Sequence, residues 1–122
     1  MTVMNPLFQA GRQTFPEAET LSSEPQFPGG LRELYRFVRR NLKYPVEARE
    51  KGVEGKVIIT FIVEKDGSIS QVSVAGKLRY GSGLEEEALR VVNMLPRFHI
   101  PGMQNGMPVR VRYHIPIHYS LD

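Results

Sequence analysis

The stretch GKVIITFIVEKDGSISQVSVA, residues 55–75, decides the fold of this chain. Residues 55–64 are rich in β-branched side chains and are apolar at successive positions, which predicts a central strand that is buried on both faces. Residues 65–68, Lys-Asp-Gly-Ser, predict a hairpin turn, because Asp66-Gly67 supplies the positive φ that a tight turn needs. A second strand is predicted from Ile69 to about Ala75. The centre of the chain is therefore an antiparallel strand pair.

Two helices are predicted before this hairpin. Apolar side chains from Leu31 to Leu42 recur at helical spacing, with basic residues between them, which indicates an amphipathic helix. Tyr44-Pro45 ends it, because the residue before a proline is disfavoured in the helical region. Pro45 suits the start of a short second helix, Val46–Lys51, which Gly52 can close in the left-handed conformation.

A third helix is predicted after the hairpin, over Leu84–Leu95. Ser82 and Glu85 have the spacing of a capping box, and the glutamates of the first turn are favoured by the helix dipole. Pro96 ends this helix and begins a Pro/Gly-containing loop that extends to Pro108.

The last predicted strand, Val109–Tyr119, alternates strictly. One face carries Val109, Val111, Tyr113, Ile115, Ile117 and Tyr119, and the other carries Arg110, Arg112, His114, Pro116 and His118. The order helix-helix-strand-strand-helix-strand predicts an α+β fold, in which helices pack on one face of a small three-stranded antiparallel sheet.

Pro116 indicates where this last strand lies in the sheet. Proline has no N–H for the ladder, so it belongs at a sheet edge or at a bulge. We therefore predict that the last strand is an edge, which is a template for an incoming strand. The residues alone leave a second interpretation open, in which Pro116 protects the edge against such pairing.

The amino-terminal part is predicted to differ from the rest of the chain. Residues 1–26 are polar and interrupted by prolines, and we expect a flexible tail or linker, with residues 27–122 forming the folded domain. Docking of Leu7, Phe8 and Phe15 on the domain is the alternative.

Composition excludes several classes of function. The chain has no cysteine, which rules out disulfides and thiolate sites, and its net charge of +3 is too mild to indicate nucleic-acid binding. No apolar run approaches the roughly 20 residues of a spanning helix. We expect no enzyme, because no Gly-x-Ser-x-Gly motif or convergent polar cluster occurs. We also expect no cofactor and no metal, since His114 and His118 on one strand would lie roughly 13 Å apart.

Several short motifs occur in an order that resembles the TonB carboxy-terminal domain family, in the form common among Bacteroidetes-type transducers. The resemblance covers roughly residues 25–121, and Phe98 and His99 depart from it, since the family usually has tryptophan and a basic or polar residue there. The positions that carry the motifs are Tyr44, Pro45, Gly55, Asp66, Gly67, Pro101 and Gly102.

The resemblance implies a periplasmic, protein-binding energy transducer. Its partner would be a TonB-dependent outer-membrane transporter, whose TonB-box peptide docks by strand addition (β-augmentation). Proton-driven inner-membrane proteins would be reached only through a membrane anchor that this sequence does not contain. The expected docking edge comprises Val109, Arg110, Val111, Arg112, Tyr113, His114, Ile115, Pro116 and Ile117. The alternative is a soluble TonB-like accessory, scaffold or sensor module with no transport role. Exposed edges also allow a homodimer by strand exchange.

Overall fold

The computed structural model describes residues 2–3, 7–8 and 21–121. Its helices are α1 (Gly30–Asn41), α2 (Val46–Lys51) and α3 (Leu84–Asn93). Its strands are β1 (Thr2–Val3), β2 (Leu7–Phe8), β3 (Gly55–Val63), β4 (Ile69–Val74), β5 (Gly102–Gln104), β6 (Met107–Val109) and β7 (Val111–Tyr119).

The two predicted amino-proximal helices are present. Leu34 and Val38 of α1 are fully buried, while the basic side chains of its other face are exposed. Helix α2 has the predicted bounds, and Gly52 ends it in the left-handed conformation with φ 67°. No helix within the described residues is long and apolar enough to cross a membrane.

The predicted central hairpin is formed by β3 and β4. Gly67 has φ 87°, and its N–H donates to the Glu64 carbonyl across the turn. The Asp66 carboxylate accepts hydrogen bonds from the N–H and the hydroxyl of Ser68, which fixes the turn locally. These bonds explain why the hairpin could be predicted from four residues.

The long strands β4, β3 and β7 form the predicted antiparallel sheet with β3 in the middle. Side chains of Val57, Ile59 and Phe61 pack with the helices in one core, whereas Thr60 and Ile62 are buried on the opposite face. Because β3 has a hydrogen-bonded neighbour on each side and buries both faces, it is the central strand that its composition predicts. The predicted fold class is confirmed.

Two local features differ from the sequence-based expectation. Ser82 does not cap α3: Gly83 is its N-cap, and the buried Glu85 carboxylate instead accepts the N–H groups of Tyr80 and Gly81. The predicted loop between α3 and the last strand contains the hairpin β5–β6, which turns at residues 105–106. The hydrogen bonds of Glu85 and the pairing of β5 with β6 join groups that only the folded chain brings together, so the spacing of residue types does not predict them.

Candidate functional site

Strand β7 is held in one fixed register along its whole length. It pairs with β3 over nine residue pairs, from Val111 opposite Val63 to Tyr119 opposite Gly55, without a shift. Its inward side chains are at most 4% exposed, as predicted from their alternation; they are Val111, Tyr113, Ile115, Ile117 and Tyr119. An unshifted ladder means that the alternation of side chains and of N–H groups continues unbroken through the strand.

Pro116 determines which N–H groups of β7 point away from β3. It lies opposite Ile58 within the unshifted ladder. Because proline cannot donate, its nitrogen belongs on the side of β7 that faces away from β3. N–H groups two residues apart point the same way. Arg112, His114 and His118 therefore direct their N–H groups outward, and Tyr113 directs its N–H group toward β3.

The outer side of β7 is not the unpaired edge that the sequence predicts. Strand β1 pairs antiparallel with it at Thr2–His118 and Val3–Ile117. Strand β2 pairs at Leu7–His114 and Phe8–Tyr113. The expectation failed because two-residue strands carry no periodicity that a sequence could show. Leu7 and Phe8 are two of the three residues for which docking on the domain is the alternative expectation.

The described part of the predicted tail is thus in contact with the domain. Besides β1 and β2, the Ser22 N–H donates to the Met103 carbonyl, and the Gln26 N–H donates to the Ile100 carbonyl. Phe15 lies outside the described residues. The boundary at residue 27 stays a prediction.

The two pairings on the outer side of β7 differ in register by one residue. Residues 4–6 separate β1 from β2, whereas only Ile115 and Pro116 separate their partners on β7. The change of register coincides with the position where β7 has no N–H group to offer. The outer side of β7 therefore accepts strands on either side of Pro116, with an interruption at the proline.

The opposite edge of the sheet is irregular. Within the described residues, β4 has β3 as its only strand neighbour. The β3–β4 register shifts between Thr60 and Ile62, and Gln71 adopts φ 53°. Bulges of this kind twist an edge and discourage further pairing. Within the described residues, short segments of the chain pair with the β7 side of the sheet and none pairs with the β4 side.

Strand β7 begins at Val111, next to an ion pair of Arg110, and this start corrects the predicted extent of the docking strand. Val109 belongs to β6, and Arg110 lies between β6 and β7. The Arg110 guanidinium donates to both carboxylate oxygens of Glu64, at 2.7 and 3.2 Å, and the Ser70 hydroxyl donates to the same carboxylate. These bonds, that from Arg110 first, lower the pKa of Glu64. Val109 and Arg110 therefore lie outside the strand that presents the edge.

The side chain of His114 lies on the face of the sheet opposite the helices, and its pKa is shifted. Burial lowers the pKa of His114 below its ordinary value, and the charge of Arg112 lowers it further. Its Nε2 atom is buried, whereas His118 is exposed. Within the described residues, no group of three or more metal-ligating side chains lies together.

The family-motif positions lie in turns and packing contacts away from the outer side of β7. The Tyr44 ring packs edge-to-face on Tyr119 at 5.4 Å, and its hydroxyl donates to the Val53 carbonyl. Pro45 precedes α2 with φ −59°. At Gly55, a Cβ would lie 2.2 Å from the Tyr80 ring, so any larger residue there would force that ring to move. These residues hold α2 and the first residue of β3 in place.

The remaining motif positions connect the β3–β4 turn and the β5 segment to the core. A Cβ on Gly67 would lie 2.3 Å from the Phe98 carbonyl oxygen, and the Gly67 carbonyl accepts the Phe98 N–H at 2.7 Å. Gly102 is buried beside Val111, directly after Pro101. The structure therefore assigns the motif a role in the fold.

Comparison with known proteins agrees with this architecture. Residues 40–121 match the family model described as Gram-negative bacterial TonB protein C-terminal. Two solution structures of the Helicobacter pylori TonB C-terminal domain are similar at 26% identity. The shorter fragment has a TM-score of 0.53 and the match covers 74% of this chain and 91% of that chain. The longer one has a TM-score of 0.52, with 78% and 87% covered. Curated protein sequences gave no match.

Proposed function

Because the chain belongs to the family of TonB carboxy-terminal domains, we propose that it docks the TonB-box peptide of an outer-membrane transporter by strand addition and transmits energy for transport. Domains of this family are periplasmic interaction domains of Gram-negative bacteria. The outer side of β7 is the docking edge. Between Val111 and Ile117, the peptide pairs with the outward main-chain groups of Arg112 and His114, and the side chains of β7 lie beside it in alternation.

One observation carries this proposal. The outer side of β7 forms antiparallel pairs with two short segments of its own chain. Strand β1 pairs with Ile117 and His118, and strand β2 pairs with Tyr113 and His114. Pro116 therefore does not prevent pairing along this side, which was the interpretation left open by the sequence. In contrast, the β4 side has a bulge and a residue with positive φ, and both disfavour an added strand.

The position of β7 suits the transmission of force. A peptide paired with β7 is linked through that strand to the nine-pair ladder with β3. The inward side chains of β7 are buried beneath the helices, and Tyr119 also donates a hydrogen bond of 2.9 Å to the Leu84 carbonyl in α3. A force on the peptide is thus distributed over the main-chain hydrogen bonds of the β3–β7 ladder and over the packed core, and does not act on a single contact.

The test is a titration of the ¹⁵N-labelled chain with a synthetic peptide that carries a TonB box. We expect amide shifts that are largest at Arg112, His114 and His118, whose N–H groups point outward, and small changes along β4. A peptide of the same composition in scrambled order is the control. Shifts confined to β4, or none at all, would refute the docking edge and leave the accessory-module interpretation as the better one.

A further inference from the structure

The strands β1 and β2 occupy the same side of β7 that the proposed function requires for a partner peptide. Their four described residues pair with His118, Ile117, His114 and Tyr113. The family match begins at residue 40, so neither strand lies in the part of the chain that matches the family model. The arrangement is therefore a feature of this chain beyond the matched domain.

We propose that β1 and β2 form an internal ligand of the β7 edge, which a partner strand must displace before it can bind. This inference rests on the proposed function for the identity of the partner, whereas the internal pairing is a separate claim. The occupant is a defined segment of this chain, residues 2–8. Its sequence has apolar or β-branched residues on both sides of Asn5-Pro6.

The hydrogen-bond pattern of this pairing follows from Pro116. Since the N–H groups of His114 and His118 point outward, the pairs His114–Leu7 and His118–Thr2 are the hydrogen-bonded ones, in which both residues donate and accept. Val3 and Phe8 lie in the intervening non-bonded pairs, and their N–H groups point away from β7. A proline in place of Thr2 or Leu7 therefore removes a hydrogen bond to β7, whereas a proline in place of Val3 or Phe8 removes none.

The segment is suited to being displaced. It offers two pairs on each side of Pro116, and hydrogen bonds of this kind contribute little net stability each. Tethering compensates for this weakness, because a segment on a short linker has an effective concentration in the millimolar range. With an effective concentration of about 10 mM and an intrinsic dissociation constant of ~1 mM, it would raise the apparent dissociation constant of an outside strand roughly 10-fold.

The experiment compares two double-proline variants of the full chain. In Thr2→Pro/Leu7→Pro, the proline rings replace the two N–H groups that donate to β7. In the matched control, Val3→Pro/Phe8→Pro, the prolines replace N–H groups that point away. The probe is a synthetic peptide of residues 1–9, titrated into each ¹⁵N-labelled chain. Thermal melts establish that all three chains fold.

We expect the Thr2→Pro/Leu7→Pro chain to bind the probe about 10-fold more tightly than the wild type and the control variant do. We also expect hydrogen exchange at the His114 N–H to accelerate at least about 10-fold in that variant alone, with the inward Tyr113 N–H unchanged. Equal probe affinity in the three chains, or no binding of the probe by any of them, would overturn the internal ligand.

A second titration with a TonB-box peptide separates this inference from the proposed function. If the internal ligand is correct, the box peptide shows the same 10-fold preference as the probe. Binding of the box peptide equally to all three chains would overturn the internal ligand and support the docking function. Binding of the probe with the expected preference, but of no box peptide, would support the internal ligand and refute the docking function.

Discussion

Proline substitutions at neighbouring positions of β7 test the assignment of inward and outward N–H groups. The changes are Arg112→Pro and Tyr113→Pro, each compared with the alanine variant at the same position. Alanine removes the side chain and keeps the N–H group, so the difference between proline and alanine isolates the backbone donor. The unshifted β3–β7 register means that the direction inferred at Pro116 holds at both positions.

The expected magnitudes follow from the surroundings of the two residues. Tyr113 is 4% exposed, and its ring lies 5.4 Å from that of Phe61 and 5.3 Å from that of Phe98. Tyr113→Ala should cost about 3–5 kcal/mol. Tyr113→Pro should cost about 2 kcal/mol more, because an inward hydrogen bond is lost and a carbonyl of β3 is left unpaired. At Arg112, which contacts the Thr60 hydroxyl at 3.4 Å, we expect proline to cost less than about 1 kcal/mol beyond alanine.

The free energy of unfolding is measured for the four variants by urea denaturation, with thermal melts in parallel. The additional 2 kcal/mol at Tyr113 corresponds to a melting temperature lower by roughly 8 °C. The same variants are titrated with a TonB-box peptide, for which Arg112→Pro should weaken binding more than Arg112→Ala does. The reasoning is refuted if the proline-minus-alanine difference is equal at the two positions, or larger at Arg112.

Three further predictions concern the core, the titration of the edge and the domain boundary. Phe61→Ala, which removes a fully buried ring, should lower the free energy of unfolding by about 3–5 kcal/mol. The control is Ile58→Ala, which truncates a half-buried side chain on the opposite face of β3. A loss below about 1 kcal/mol at Phe61 would contradict the core assignment. Because burial and Arg112 lower the pKa of His114 in the folded state, its contribution should be constant above pH of about 6.5 and be lost as the pH falls through the folded pKa. Melting temperatures from pH 8 to 5 should show this loss in the wild type and not in His114→Gln; identical profiles would exclude it. Deletion of residues 1–26 should lower the melting temperature more than deletion of residues 1–20, since the N–H groups of Ser22 and Gln26 donate to carbonyls of residues 100 and 103; equal values would place the boundary at residue 27.

Local sequence predicted most of the long elements because each depends on neighbouring residues. The helix bounds at Val46–Lys51 follow from Pro45 before the helix and Gly52 after it. The β3–β4 turn follows from Asp66-Gly67, where one side chain bonds the backbone two residues on and the other residue accepts positive φ. Strict alternation predicted the buried face of β7, because successive side chains of a strand point to opposite sides.

The sequence was less informative where a feature depends on distant partners. The capping-box spacing at Ser82 and Glu85 was present, yet the Glu85 carboxylate bonds the N–H groups of Tyr80 and Gly81. The hairpin β5–β6 has three residues in each strand, too few for a periodicity to be visible. Arg110 separates β6 from β7, and its guanidinium bonds to Glu64, which directly follows β3 and is distant in sequence.

The outer side of β7 shows most clearly which features the sequence predicts and which depend on the folded structure. The sequence by itself determined that β7 has an outer side, because Pro116 cannot donate a hydrogen bond to β3. Whether that side is vacant was decided only by the tertiary structure, in which β1 and β2 pair with it. The physical reason is that strand pairing joins residues more than a hundred positions apart through main-chain groups, and every residue except proline carries the same ones.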